Sequence, residues 1–283
     1  MKCLVIVLKV NTCNFCFRGK KNDKSNFFDI DGTLMSFKTH QMPHSTLNAL
    51  NKLKEKGILL FIATGRSPKE LEPFLSTINF KFDGYITMNG QLCYSDEVIF
   101  NEDFIDIKEI ESAIDYLDQK QIGCSFFERD YVYKNRITEQ VIALYNSLNT
   151  TIDDVVIDTT DRIYSHKVYQ LCPFINEDQE EAFLASMPSC KAARWHPLFV
   201  DIILKESGKP KGIQKVIDYY HIDQTETMAF GDGGNDMDML RFVEIGIAMG
   251  NASDKVKAVS DYVTTSVDED GIALALKHFN IVD

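Results

Sequence analysis

From residue 27 onward the chain alternates short apolar runs with segments of helical period. Phe27-Phe28-Asp29-Ile30 predicts a strand that ends in polar residues. Residues 43–56 predict a helix, with Pro43 near its start, Leu47, Leu50 and Leu53 on one face and Gly57 as its stop. Ile58-Leu59-Leu60-Phe61-Ile62 is apolar at every position, the pattern of a strand buried on both faces of a parallel sheet. It breaks at Ala63-Thr64-Gly65-Arg66, and Pro68 opens another helix. Tyr85-Ile86-Thr87-Met88 is a third strand, closed by Asn89-Gly90. This βαβαβ rhythm is that of a doubly wound α/β sheet. It returns late in the chain. A helix over 211–220 precedes a strand at Thr227-Met228-Ala229-Phe230, and a helix over 236–243 precedes a strand at 245–249. A short helix at 254–259, a strand at 261–264 and a helix from Ile272 follow.

The texture between these blocks differs. Leu92-Cys93-Tyr94 and Val98-Ile99-Phe100 flank Ser95-Asp96-Glu97 as in a hairpin. Ile107, Ile110, Ile114 and Leu117 mark an amphipathic helix. Strand-like stretches at 124–133 and 166–172 and helical ones at 138–147 and 177–186 complete an α+β set. The expected organisation is a catalytic core over 22–90 and 197–283, with residues 91–196 inserted as a second domain. The crossings fall near Asn89-Gly90 and Trp195-His196-Pro197. Residues 1–21 read as an extension without an assigned role. Their apolar stretch from Cys3 to Leu8 is short, Lys9 interrupts it, and no small-x-small cleavage site follows.

Length and composition narrow the function. At 283 residues, with roughly 150 per domain as a prior, two domains fit. Thirty Lys+Arg against 42 Asp+Glu give a formal charge of −12, which disfavours a protein that grips nucleic acid through its phosphates. No apolar run reaches the roughly 20 residues a membrane span needs. Seven scattered cysteines are no disulfide framework, so a reducing cytoplasm is expected.

The candidate chemistry sits at strand ends, where open α/β sheets bind ligands. Asp29 and Asp31 have i,i+2 spacing, which in extended chain puts both carboxylates on one side. One suits a nucleophile or metal ligand and the other a proton donor, although Asp-Gly is also ordinary turn material. Gly231-Asp232-Gly233-Gly234-Asn235-Asp236 ends another strand and opens a helix. It has Asp236 where the third glycine of G-x-G-x-x-G would stand, so an acid-rich loop for a hard cation fits better than a dinucleotide loop. Thr64 and Gly65 offer a hydroxyl and a free N–H to a phosphate oxygen. Lys209, before a helix, is by itself a solvated cation.

Together these pieces resemble the haloacid dehalogenase (HAD) superfamily of phosphohydrolases. Asp29-x-Asp31-Gly32-Thr33 matches its first motif, Thr64 its second, Lys209 its third and Gly231-Asp232-Gly-Gly-Asn235-Asp236 its fourth. The position of the insert, with the Ile-Ala-Thr-Gly-Arg and Gly-Asp-Gly-Gly-Asn-Asp wording, is similar to the Cof-type, or IIB, branch. The resemblance spans residues 27 to about 280. It implies a Rossmann-like core with a C2B-type cap and a phosphatase acting on small phosphate monoesters, usually sugar phosphates. It also implies Mg²⁺ held by Asp29, the backbone carbonyl of Asp31 and Asp232, with Asp236 one shell further out. Asp29 would then be the nucleophile, Asp31 the acid and base, and Thr64, Gly65, Lys209 and Asn235 the phosphate's partners.

Two departures stand out. The residues before the first motif, Asp23-Lys24-Ser25-Asn26, are polar where the family has an apolar strand. Lys211 competes with Lys209 for the third motif, although gapless spacing back from Asp232 favours Lys209. In the insert, Glu128, Arg129, Arg194 and His196 are either substrate contacts or solvated charges. Trp195 reads as hinge packing. A sugar phosphomutase of the same superfamily and a phospho-accepting signalling module remain as alternatives. His40 and His44 are kept off a shared helical face by Pro43, so no zinc pair is read there. Cys13-x-x-Cys16 has no second pair, and the sequons at Asn149 and Asn251 carry no weight in a cytoplasmic protein.

Overall fold

The computed structural model describes residues 23–147 and 152–283. The 1–21 extension, the Cys13/Cys16 pair and the Asn149 sequon lie outside them. In chain order the elements are β1 (Ser25–Phe28), α1 (His44–Glu55), β2 (Leu59–Ala63), α2 (Pro68–Thr77), β3 (Gly84–Thr87), β4 (Leu92–Tyr94), β5 (Ile99–Glu102), α3 (Ile107–Lys120), β6 (Cys124–Phe127), β7 (Val132–Lys134), α4 (Glu139–Ser147) and β8 (Gln170–Pro173). There follow α5 (Glu180–Leu184), β9 (Cys190–His196), β10 (Phe199–Leu204), α6 (Lys209–Tyr220), β11 (Thr227–Gly231), α7 (Met237–Phe242), β12 (Ile245–Ala248), α8 (Asp254–Lys257), β13 (Tyr262–Val263) and α9 (Gly271–His278).

The larger sheet has the order β13-β12-β11-β1-β2-β3-β4-β5. It is parallel from β13 to β3, and β4 and β5 add antiparallel strands at one edge. Successive side chains on a strand face opposite ways, so the sheet has two apolar faces. Phe28, Ile62 and Phe230 pack with Leu50, Leu53 and Leu276 on one side. Phe27, Phe61 and Ile86 pack with Ile213, Val216 and Leu240 on the other. The result is the expected doubly wound, mainly parallel α/β core. The chain winds outward from β1 through β2 to β3, then restarts at β11 on the other side of β1. The β1/β11 boundary is therefore the switch point where such sheets bind ligands.

The polar stretch before Asp29 does not cost the core its central strand. Ser25 and Asn26 are fully buried and make up half of β1. They pair in register with Thr227 and Met228 on one side and with Leu59 and Leu60 on the other. Two complete backbone ladders satisfy the strand's main-chain groups, although Ser25 Oγ and the Asn26 carboxamide are buried without a hydrogen-bond partner.

The expected boundaries of the insert need correction. The hairpin at 92–102 belongs to the larger sheet. Residues 88–90 turn the chain tightly enough for β4 to double back on β3, pairing Leu92 with Thr87. Phe199–Leu204, assigned from the sequence to the core, is instead β10 of a second sheet ordered β7-β6-β8-β10-β9. One face of this smaller sheet packs on α3 and α5 through Ile110, Leu117, Phe126, Phe183 and Ile202. The other face, with Phe127, Cys172, Phe174 and Phe199, meets Met88 and Leu92 of the core. Among the described residues no helix is long and apolar enough to cross a membrane.

Gly246 in β12 lies directly against the carbonyl of Leu240 at the end of α7. A methyl group there meets backbone that cannot swing aside. Gly246→Ala is expected to lower stability by about 1–3 kcal/mol in a denaturant titration.

Candidate active site

Asp29 follows β1, and its N–H donates to the carbonyl of Phe230 in β11 (3.0 Å). Asp232 follows β11 itself. Parallel pairing of two four- to five-residue strands thus delivers residues about 200 positions apart to one spot. Gly32 (φ +86°) lets the turn after Asp29 pass against the Asp232 carboxylate, where a Cβ would collide. Thr33 Oγ1 then donates to Asp232 Oδ1 (2.9 Å).

Lys209 opens α6 and is buried. Its Nζ donates to Asp29 Oδ1 (2.7 Å) and Asp236 Oδ1 (2.5 Å). Asp236 Oδ2 accepts the backbone N–H groups of Asp232 (3.0 Å) and Gly233 (2.8 Å). Lys211, the rival for the third motif, pairs with Asp103 (2.6 Å) away from this cluster. Thr64 is buried, and its Oγ1 accepts from the Arg66 N–H (3.1 Å), leaving its own hydrogen free to donate. Gly65 lies beside it, against the side chains of Asn89 and Asp201.

Electrostatics here are governed by one imbalance: three carboxylates and one ammonium. Oxygens of Asp29, Asp232 and Asp236 lie within 4.8 Å of one another. Burial and the charge of Asp236 raise Asp29 well above the usual carboxylate range, and the same two causes, in the same order, push Asp232 up to about 7. Burial works against the charge on Lys209, but Asp236 and Asp29 more than offset it and hold the ammonium above the ordinary lysine range. A buried acidic cluster that lacks positive charge, with hard oxygen donors and Lys209 already spent, fits a divalent cation. Asp236 spends both oxygens on Lys209 and the loop N–H groups. That leaves Asp29 and Asp232 as the side chains best able to hold such an ion.

Three findings were not legible in the motifs. Arg66 grips Asp31 with a fork, Nε to Oδ2 (2.8 Å) and Nη2 to Oδ1 (2.5 Å). Asn251, noted in the sequence only within a sequon, donates from Nδ2 to the carbonyl of Gly32 (2.9 Å) and to Asp232 Oδ2 (3.0 Å). Neither pairing has a spacing signal, because each joins segments from different strands. Asn235 turns to Asn89, donating from Nδ2 to Oδ1 (3.0 Å). Among the candidate contacts in the insert, Glu128 is clamped by Arg162 (2.8 and 2.7 Å). Arg194 is spent on Glu180 and on the carbonyls of Ile175, His196, Pro197 and Phe199. His196 stacks on Phe199 (centroids 4.8 Å apart) and Arg129 is exposed. Trp195 does more than pack, since its Nε1 donates to Asp201 (3.1 Å).

Comparison with known proteins agrees with this arrangement. A profile of the haloacid dehalogenase-like hydrolases matches residues 26–276. A putative phosphatase of Bacillus subtilis (strain 168), YkrA, is 33% identical over 264 residues, covering 92% of this chain and 99% of its own. Among solved structures, the HAD subclass IIB sugar phosphatase BT4131 superposes with a TM-score of 0.82 at 41% identity, over 92% of this chain and 100% of its own. The phosphatase BT1666 from Bacteroides thetaiotaomicron gives 0.85 at 33% identity, over 94% and 98%. The chain belongs to the haloacid dehalogenase-like hydrolase family, in its IIB branch, and is a phosphatase.

Two outcomes follow for the metal-free protein. Asp232, at about 7 when folded against roughly 4 when unfolded, binds its proton more tightly in the native state. Its favourable share of stability is complete below about pH 4 and is lost as pH rises through 7. In chelator, the melting temperature of Asp232→Asn is expected to fall less between pH 5 and 8 than that of the wild type. Lys209→Met, which leaves Asp29 and Asp236 buried without their cation, is expected to cost about 3–5 kcal/mol in a denaturant titration at pH 8.

Proposed function

We propose that the protein hydrolyses small phosphate monoesters, sugar phosphates first among them, with Mg²⁺ as its cation and an aspartyl-phosphate on Asp29 as the intermediate. The convergence of Asp29, Asp232 and Asp236 around Lys209 carries this reading. Similarity to a sugar phosphatase at 41% identity supports the substrate class.

Carboxylate attack on a phosphate ester brings two anions together, so the barrier is set by unneutralised charge more than by weak basicity. When bound, the cation would be held by Asp29, Asp232 and the backbone carbonyl of Asp31, and would supply the positive charge the site lacks. Lys209 holds one Asp29 oxygen and fixes the direction of the other. Among the described residues no donor engages Asp29 Oδ2, which is the oxygen that attacks phosphorus. The Thr64 hydroxyl and the Gly65 N–H receive the phosphoryl oxygens. Asp31, oriented by the Arg66 fork, protonates the departing alkoxide and then takes a proton from the water that hydrolyses the intermediate.

The smaller sheet acts in this reading as a lid that excludes water and meets the leaving group. Its β9 runs beside the 234–236 turn of the metal-binding loop, with the Arg194 carbonyl against Gly234. A reducing, cytoplasmic setting accords with Cys93, Cys124, Cys172 and Cys190, all buried free thiols. The test is a panel of sugar, nucleotide and cofactor phosphates assayed for inorganic phosphate with and without Mg²⁺. Asp29→Asn is expected to lose at least 10³-fold in kcat while keeping the wild-type circular dichroism. Full turnover by that variant removes the nucleophile, and isomerised ester without free phosphate replaces the hydrolase by a mutase.

A further inference from the structure

One residue is hydrogen-bonded to both phosphate-side loops. Asn89 sits in the turn between β3 and β4, where Met88, Asn89 and Gly90 have φ of 48°, 53° and 91°. Two non-glycine residues in succession with left-handed backbone form a costly arrangement, which persists only where the surroundings enforce it. They do so through every polar atom of the Asn89 side chain. Its Oδ1 accepts from Asn235 Nδ2 (3.0 Å), next to Asp236. Its Nδ2 donates to Asp201 Oδ2 (2.9 Å) on β10 and to Gln170 Oε1 (3.0 Å) on β8. Its backbone N–H donates to the carbonyl of Thr64 (3.0 Å). Gln170 Nε2 closes the circuit at the carbonyl of Gly65 (3.4 Å), and Asp201 Oδ2 also accepts from Trp195 Nε1 (3.1 Å). Asn89, Gln170 and Asp201 are all at least 97% buried.

We propose that Asn89 is a positioning residue that couples closure of the smaller sheet to the catalytic arrangement of the Thr64-Gly65 and 232–236 loops. This rests on the reading of that sheet as the lid of a phosphatase. The physical reason is that the lid's β8 and β10 bring a carboxamide oxygen and a carboxylate down onto the core. The Gln170 oxygen must find a donor there or be buried unsatisfied, and Asp201, which Trp195 serves from within the lid, gains its second donor there. Only a carboxamide held at Asn89 by left-handed backbone serves both while also accepting from Asn235. If Asn235 or Thr64-Gly65 moves from its place, Asn89 moves with it and the closed lid loses its partners. When the lid opens, water replaces these bonds at little net cost, so the latch can release at each turnover.

The variant that isolates the carboxamide is Asn89→Gly, because glycine adopts positive φ freely and the turn survives. Two readouts apply. Trp195 is the single tryptophan of the chain and lies on the lid, where its Nε1 shares Asp201 Oδ2 with the Asn89 carboxamide. Asn89→Gly is expected to red-shift its emission and raise its acrylamide quenching, with a melting temperature within a few degrees of wild type. On a sugar phosphate the variant is expected to lose about ten-fold in kcat/KM, mainly through KM. Asp201→Asn, which keeps an acceptor oxygen, stays within about two-fold of wild type, and Asp201→Ala falls as Asn89→Gly does. The double variant Asn89→Gly/Asp201→Ala falls no further than either single one. Unchanged fluorescence and kinetics in Asn89→Gly, or a double variant whose loss is the product of the single losses, overturn the proposal. Should the wild type release no phosphate from any ester, the phosphatase reading fails, and the Trp195 readout alone decides for or against the latch.

Discussion

Three carboxylates gathered against a single ammonium, Asp29 and Asp236 buried and Asp232 partly so, are the constraint around which the molecule is built. Ionised carboxylates repel each other and resist burial, and a structure that keeps them together holds them by force from outside the cluster. That force comes from the sheet. β1 is hydrogen-bonded in parallel register to β11 over its whole length, with Phe28 stacked on Phe230 of β11 at 5.0 Å on one face and Phe27 stacked on Phe61 of β2 at 5.2 Å on the other. Asp29 and Asp232 leave the ends of β1 and β11 and have nowhere else to go. The charge left over makes the site a receptor for a cation, and in the proposed chemistry for a phosphate behind it.

The remaining polar groups are spent on geometry. Asp236 uses both oxygens to fix Lys209 and the loop that carries Asp232. Arg66 locks the orientation of Asp31, and Asn251 ties the turn after Asp29 to Asp232. These groups orient those that the proposed mechanism puts in contact with substrate. Preorganisation of this kind lets a site stabilise developing charge without rearranging itself during the reaction. The smaller sheet takes part through Asp201, a carboxyl pushed up to about 7 chiefly by burial, which sits against Gly65 at the edge of the proposed phosphate site.

Much of this was legible from residue order alone. A short run apolar at every position, Ile58 to Ile62, bounded by Gly57 and by Thr64-Gly65, fits a strand covered on both faces, and the helical period of Leu47, Leu50 and Leu53 fits a helix that buries one stripe. From these, the doubly wound core and the strand-end location of Asp29, Thr64 and Asp232 follow, since both periodicities are local properties of the backbone. Lys209 was readable too, because its motif spacing distinguishes it from Lys211. The limits of the insert were not. Strand propensity does not say which sheet a strand joins, and β4, β5 and β10 are assigned by partners far away along the chain.

The same reason separates what the polypeptide's order determined from what folding decided. Residue types and their spacing determined the elements, the family and the acidic groups that the proposed mechanism uses. Tertiary structure alone decided that Arg66 faces Asp31, that Asn251 serves Asp232, and that Asn89 joins Asn235 to Asp201. Each of these is a hydrogen bond between side chains on separate segments, formed only after the sheet has set their distance and direction, and a one-dimensional pattern carries no trace of either.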